Sequence, residues 1–268
     1  MTDTDPTLLV ERIGAVALVR FNRPDQLNAF TAEMSRGYAR ILRELDGDDA
    51  VRAIVVTGSG RAFCAGADLA VISAGAEAIS ELVPTLEDLP ALGQRLRTPV
   101  IVAINGPVAG IGFAYMLGGD VRFCAAEAKI STSFARLGLV AEYGLSWLLP
   151  RLVGAGRAMD LLLSARTLTG AEAYEMGLVE HVHPAAEVVE AAVAYATDLA
   201  ENCSPYAMAT IKAQVLTDAS GDLSSALFRA RWLMERSFHG TELSEGLAAR
   251  AEKRAPRFAP APAVIEGL

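Results

Sequence analysis

With 268 residues, 52% of them hydrophobic and 21% charged, the chain has the composition of a compact protein with one substantial core, which argues against a disordered segment. The formal net charge of −8, from 24 Lys and Arg against 32 Asp and Glu, excludes a general nucleic-acid binder, because that function needs a clustered basic footprint. Three scattered cysteines, Cys64, Cys124 and Cys203, suit a reducing compartment better than a disulfide framework, so a cytoplasmic location is expected.

The opening MTDTDPTLLV has no basic segment followed by an apolar run, so no secretory signal is expected. Residues 8–21 predict a β-hairpin, since LLVE and AVALVRF flank Arg12, Ile13 and Gly14 with strand-forming residues. A polar turn follows at 23–28. From Thr31 to Leu45 the apolar residues Met34, Tyr38, Ile41, Leu42 and Leu45 recur at helical spacing, which predicts an amphipathic helix.

VRAIVVTG then predicts a buried strand ending at the loop SGRAFCAGADL, followed by a helical stretch to about Arg97 and a second buried strand, PVIVAI. The most apolar stretch, 99–117, is interrupted by Asn105, Gly106 and Pro107, so it predicts strand, turn and helix rather than a membrane span. A helix opening near Ala109 and strands at DVRFCA and AKIST complete the alternation. That order predicts an α/β fold whose strand-end loops carry function.

After Ser164 the chain turns helical. Thr169 with Glu172 fits a capping box, Gly177 a helix stop, and Ser204 with Pro205 an N-cap with proline at the first helical position. From about Ser204 nearly everything predicts helix, with Leu223, Leu227, Ala230 and Met234 on one face. The expected organisation is a core over 1–200 and a C-terminal helical region over 201–268.

Two loops have the composition to carry chemistry. In SGRAFCAGADL, Ala65, Gly66 and Ala67 precede a helix with Asp68 as its expected N-cap, and small side chains let a ligand approach backbone N–H groups left without internal acceptors. In NGPVAGIGFAYM, a second strand, turn and helix start at Gly110, Ile111 and Gly112 repeat the arrangement. Two such loops after adjacent strands can aim two donors at one oxygen, each worth roughly 3–4 kcal/mol to a developing oxyanion. An ordinary tight turn is the competing reading for the first loop. A dinucleotide site is not expected, because Gly106, Gly110 and Gly112 do not have the G-x-G-x-x-G spacing.

RPDQLNAF, GRAFCAGADL, INGPVAGIGFA, LSARTLTGAEAYEMGLVEHV and EGLAARAEKRAPRF occur in that order, and together they resemble the crotonase superfamily, the enoyl-CoA hydratase/isomerase family, over nearly the whole chain. The resemblance implies an α/β spiral of ββα units with a C-terminal α-helical trimerisation region, assembled as a homotrimer or a dimer of trimers. It also implies an acyl-CoA substrate, with coenzyme A as part of that substrate and no permanently bound cofactor.

Position by position, the resemblance places oxyanion donors on the backbone N–H of Ala67 and of Ile111, where most relatives have glycine. Around them Gly66, Asp68, Leu69, Gly110, Gly112 and Phe134 fall in the substrate region. Ala65 falls against the adenine, Arg23 on a phosphate, and Lys253 and Phe258 over the coenzyme. A solvated cation or ordinary packing competes with each of the last three roles. Ile72, the segment 74–84, Phe134 and Trp147 are expected to set acyl-pocket depth.

The two glutamates that hydratases of the family use fall on Ala114 and Phe134, neither of which transfers a proton. Glu142 coincides instead with the position where some family isomerases and a dehalogenase carry one working Asp or Glu. Its neighbours Leu139, Val140, Ala141, Tyr143 and Leu145 would raise its pKa; a carboxylate complementing the following helix dipole is the structural alternative. Double-bond isomerisation with Glu142 as the single acid/base is therefore expected ahead of hydration assisted by Glu142. A non-catalytic acyl-CoA-binding protein is the alternative of another class. His181 and His183 lie two apart on a strand, but no Cys or carboxylate cluster completes a metal site there, and none is expected. Cys64 is expected to be a packed residue rather than a nucleophile.

Overall fold

The computed structural model describes residues 6–78 and 90–264. A six-stranded sheet in the order β1-β2-β3-β4-β6-β9 forms its centre. The strands are β1 Leu8–Ile13, β2 Val16–Phe21, β3 Ala53–Gly58, β4 Val100–Ile104, β6 Val121–Ala125 and β9 His181–His183. Only β1 runs antiparallel to its neighbour, through the expected hairpin; the other pairings are parallel.

Strand parity explains the layering, because successive side chains point to opposite faces. Ala17, Val19, Ile54, Val56, Val100, Val102 and Ile104 face the main core, together with Met34, Tyr38 and Leu42 of helix α1, Ala32–Asp46. Residues of the other parity, Val16, Leu18, Ala53, Val55, Ile101, Ala103 and Phe123, pack on a later helix, Val188–Asn202. That helix presents Val188, Ala192, Ala196 and Ala200, four residues apart and therefore on one stripe. Small residues there let it lie close to the sheet.

A second sheet holds three short strands, β5 Val108–Ala109, β7 Lys129–Ser131 and β8 Leu168–Thr169; β7 is the strand expected at AKIST, whereas β5 and β8 were not foreseen, since two-residue strands leave no periodicity to read. The chain passes between the sheets, β4 to β5, a helix, β6 to β7, and β8 to a helix to β9, in agreement with the expected α/β spiral. The helix expected to open near Ala109 begins instead at Ile111, because Val108 and Ala109 pair with Ile130 and Ser131. The predicted caps are in place: Thr169 and Glu172 form the full capping box, Ser204 accepts from Ala207, and Pro205 opens its helix. Between the first loop and β4 the described helices include Leu69–Ser73 and Leu92–Arg95, and the pocket segment 74–84 extends beyond the described residues.

Helices Pro205–Asp218, Leu223–His239 and Thr241–Glu252 follow. Lys212 ties the first of them to the core, donating to the Gly93 and Thr98 carbonyls (3.0 and 2.8 Å) and to Asp120 (2.5 Å), whose carboxylate also accepts the Val100 amide. Among the described residues no helix is long and apolar enough to cross a membrane.

Candidate functional site: two backbone loops and a half-buried glutamate

Strands β3 and β4 are parallel neighbours, so the loops leaving them, 59–68 and 105–110, emerge at the same edge of the sheet. A bridge between Cys64 and Val108 joins them: the Cys64 amide donates to Pro107 (3.2 Å), and Ala109 donates to Cys64 (3.0 Å). A second bridge joins Phe30 to Ala67, with Phe30 donating to Gly66 (2.8 Å) and Asp68 donating to Phe30 (3.0 Å). In a parallel bridge these flanking groups carry the hydrogen bonds, so the N–H of Ala67 itself is turned away from Phe30.

Ile111 is the first residue of its helix, Ile111–Leu117, where an amide has no intrahelical acceptor. Among the described residues, neither the Ala67 nor the Ile111 N–H donates to the protein. Each lies three residues beyond its end of the Cys64–Val108 bridge, so the two loops present their donors in matching register. The side chain of Ile111 is turned into the main core, at 4% exposure. An isoleucine therefore serves where only the N–H is required.

Glycine is needed at two points of this arrangement. Gly110 has φ 52° and ψ −125°, a backbone state that L side chains rarely adopt, and it turns the chain from β5 into the helix. Gly112 lies against the first loop: a Cβ there would stand 2.4 Å from the Cys64 carbonyl oxygen and 2.9 Å from its Sγ. Cys64 is thus a packed spacer, fully buried, with burial pushing its thiol up to about 12. That suits no nucleophile.

Below the loops lies a support that sequence reasoning read only as a polar turn. Asn28, fully buried, donates to the Ser59 and Ala62 carbonyls (2.9 and 2.8 Å) and accepts the Arg23 amide (2.9 Å). The Leu27 carbonyl accepts the Ala65 amide at 3.0 Å. Asn105 spans the strand ends likewise, accepting from Thr57 and the Gly58 amide and donating to Gly58 and Gly60. The ring of Phe30 stacks on Tyr115 of the second loop's helix, with centroids 4.1 Å apart, and the Tyr115 hydroxyl meets Ser35 at 2.7 Å. Both loops therefore rest on one aromatic layer.

Glu142 lies on the segment between a 3₁₀ turn, Ala135–Leu137, and the helix Leu145–Val153. Positive φ at Gly138, Tyr143 and Gly144 bends that segment back on itself. Its flanks Ala141 and Tyr143 pack on the core cluster that holds Ile111, Ala114 and Phe134, and the helix it leads into packs against Ile111–Leu117. Glu142 is half-buried, and desolvation raises its pKa above the usual carboxylate range. Its side chain does not cap the following helix, whose N-cap is Gly144 with no side-chain hydrogen bond, although Glu142 stands two residues ahead of that N-cap, near the positive end of the helix dipole. Ala114 and Phe134 are buried at 2% and 3% exposure.

The remaining candidates are distributed. Asp68 is the N-cap of Leu69–Ser73, accepting the Ala70 amide, and Arg23 is paired with it at 2.7 Å. Lys253 is an exposed C-cap residue, and Phe258 packs beside Gly246. The Phe258 carbonyl accepts from Arg52, which precedes β3, whereas the first loop leaves the other end of that strand. Within one copy of the chain, that contact sets Phe258 at the end of β3 opposite the first loop. Trp147 lies under Arg151, 3.7 Å from ring to guanidinium, and Ile72 is exposed. His181 and His183 stack on Phe123, with centroids 4.2 and 5.7 Å away.

Residues 11–260 match the family model described as Enoyl-CoA hydratase/isomerase. A probable enoyl-CoA hydratase of Mycobacterium bovis is 36% identical over 258 residues, covering 95% of this chain and 98% of that protein. The 1,2-epoxyphenylacetyl-CoA isomerase of Escherichia coli is 32% identical, over 91% and 94% of the two chains. Among solved structures, an enoyl-CoA hydratase from Bacillus anthracis superposes with a TM-score of 0.89 at 30% identity, covering 94% of this chain and 99% of that one. With the α/β spiral, the paired loops and these likenesses in agreement, the chain belongs to the enoyl-CoA hydratase/isomerase family, whose members act on acyl-CoA thioesters.

Proposed function

We propose that this enzyme moves a double bond within an enoyl-CoA thioester, with Glu142 as its single acid/base. The observation that carries the reading is the distribution of carboxylates. The two positions that resemble the hydratase glutamates hold buried Ala114 and Phe134, while Glu142 sits half-buried with a raised pKa beside the second loop's helix. Ionised Glu142 takes a proton from the carbon alpha or gamma to the carbonyl. The electron pair passes to the thioester oxygen, which the Ala67 and Ile111 amides hold as a dienolate. The same carboxyl returns the proton at the other carbon, so no atom is gained or lost. A pKa raised toward working pH suits a group that must both take and return a proton.

Coenzyme A enters as part of the substrate. A homotrimer or a dimer of trimers is the assembly this reading carries, supported by the apolar Leu223, Leu227, Phe228 and Met234, all exposed on one copy. Hydration with Glu142 assisting water is the second reading, favoured by the hydratase name of the Mycobacterium bovis relative. Incubation with crotonyl-CoA and with a 3-enoyl-CoA separates the two, because isomerisation leaves the acyl mass unchanged and hydration adds one water. Conversion of the 3-enoyl substrate to its 2-enoyl isomer is expected; accumulation of a 3-hydroxyacyl-CoA alone would sink the isomerase reading.

A further inference from the structure

We infer that Arg23 is a positioning residue that fixes the first oxyanion donor, Ala67, by stapling the two sides of the Phe30–Ala67 bridge. The inference rests on the reading of the Ala67 amide as such a donor. One guanidinium nitrogen of Arg23 donates to the Ala29 carbonyl, and the other to Asp68 Oδ2 at 2.7 Å. Ala29 precedes Phe30, and Asp68 follows Ala67. The fork therefore spans the bridge from outside, one acceptor on each strand.

Neither end is free to drift. Asp68 uses its second oxygen to accept the Ala70 amide at 2.9 Å, which ties the residue after Ala67 to the helix it begins. Arg23 starts from a rigid turn: its amide donates to Asn28 Oδ1, its carbonyl accepts the Gln26 and Asn28 amides, and Asn28 is fully buried. The two charged side chains are only 19% and 17% exposed, so the pair is largely shielded from solvent. A solvated cation would hold its head in water; this one is committed to two protein acceptors. Both the Ala70 amide and Arg23 hold the Asp68 carboxyl below its usual pKa, which agrees with a pair that is ionised and engaged.

The geometry requires arginine rather than any cation, because a planar fork reaches two acceptors at once and an ammonium is a point charge. Arg23→Lys keeps the charge and removes the fork. Asp68→Asn keeps an N-cap side chain and removes the charge pair. Both variants and their double combination are assayed for kcat, KM and acyl-CoA dissociation constant on the enoyl-CoA that the wild type turns over, with thermal unfolding as a check on the fold. Each single variant is expected to lower kcat by about tenfold or more, since a donor displaced by a fraction of an ångström already misaligns the site. The dissociation constant stays within about twofold, and the double variant loses no more than the worse single one, as expected for residues acting as one unit.

A raised KM with kcat intact in Arg23→Lys would assign Arg23 to the coenzyme phosphates and overturn the inference. Additive losses in the double variant would overturn it too. Gly112→Ala run in parallel separates this failure from failure of the oxyanion reading. If Gly112→Ala is inactive while Arg23→Lys keeps full kcat, the staple alone is wrong. Full kcat in Gly112→Ala means that the loops themselves are not the oxyanion site.

Discussion

Replacing Gly112 with alanine tests whether contact between the two loops holds the donors in register. The added Cβ would stand 2.4 Å from the Cys64 carbonyl oxygen, where ordinary contact begins at 3.4 Å, so the loops must part by about 1 Å. The carbonyl cannot swing aside cheaply, because it accepts the Ala109 amide at 3.0 Å and so forms part of the bridge between the loops. Overpacking of this kind costs roughly 1–3 kcal/mol, which for a chain of this size lowers the unfolding midpoint by about 2–10 °C. The catalytic loss is larger, because a displacement of about 1 Å at reacting atoms costs on the order of 100-fold in rate. Steady-state kcat and calorimetric acyl-CoA binding read the two effects apart: a falling kcat with retained affinity is expected. Adding Cys64→Ala to the variant removes the sulfur but leaves the backbone clash, so it restores no activity. A Gly112→Ala enzyme with wild-type kcat and unfolding midpoint would refute the reasoning.

Three further outcomes follow from charges inside the molecule. Lys212→Met removes three hydrogen bonds and leaves the partly buried Asp120 without its cation, so denaturant unfolding should show a loss of about 2–4 kcal/mol; a loss under about 1 kcal/mol would mean the pair is not a tie between helix and core. The acid limb of kcat/KM should lie above the usual glutamate range, with activity rising as Glu142 ionises, and a limb at an ordinary carboxylate value would contradict its desolvation. Because the folded-state pKa of Glu142 is above the unfolded one, ionisation costs stability as pH rises through that interval. Glu142→Gln should therefore match or exceed wild-type stability at neutral pH, with the difference vanishing below the unfolded carboxylate value.

Much of the fold was legible because its signals are local. Met34, Tyr38 and Leu42 carry the period of α1, and Thr169 with Glu172 satisfies two helix-end amides within four residues of sequence. The helix starts after the two loops were legible for the same reason, since Asp68 and Gly110 are their N-cap residues, whereas the choice of Ala67 and Ile111 as donors came from the family resemblance. What escaped the sequence acts across distance. Asn28 reaches residues more than thirty positions away, and Arg23 reaches Asp68 across forty-five, and neither contact leaves a periodic trace. The bridged strand at Val108 moved the second helix start by two residues for a similar reason: its partner, Ile130, lies in a different part of the chain. The apolar face at Leu223 and Leu227 was visible as a pattern, but a single copy leaves both side chains exposed, and the pattern does not say what covers them.

The central claim is that one carboxylate moves the proton while two backbone amides hold the negative charge. Glu142→Gln tests it most directly, because the change is nearly isosteric and removes only the ability to exchange a proton. Turnover of a 3-enoyl-CoA should fall by on the order of 100-fold to 10,000-fold, while the acyl-CoA dissociation constant stays near the wild-type value. Retention of more than about a tenth of wild-type turnover, with binding unchanged, would contradict the assignment of Glu142 as the acid/base.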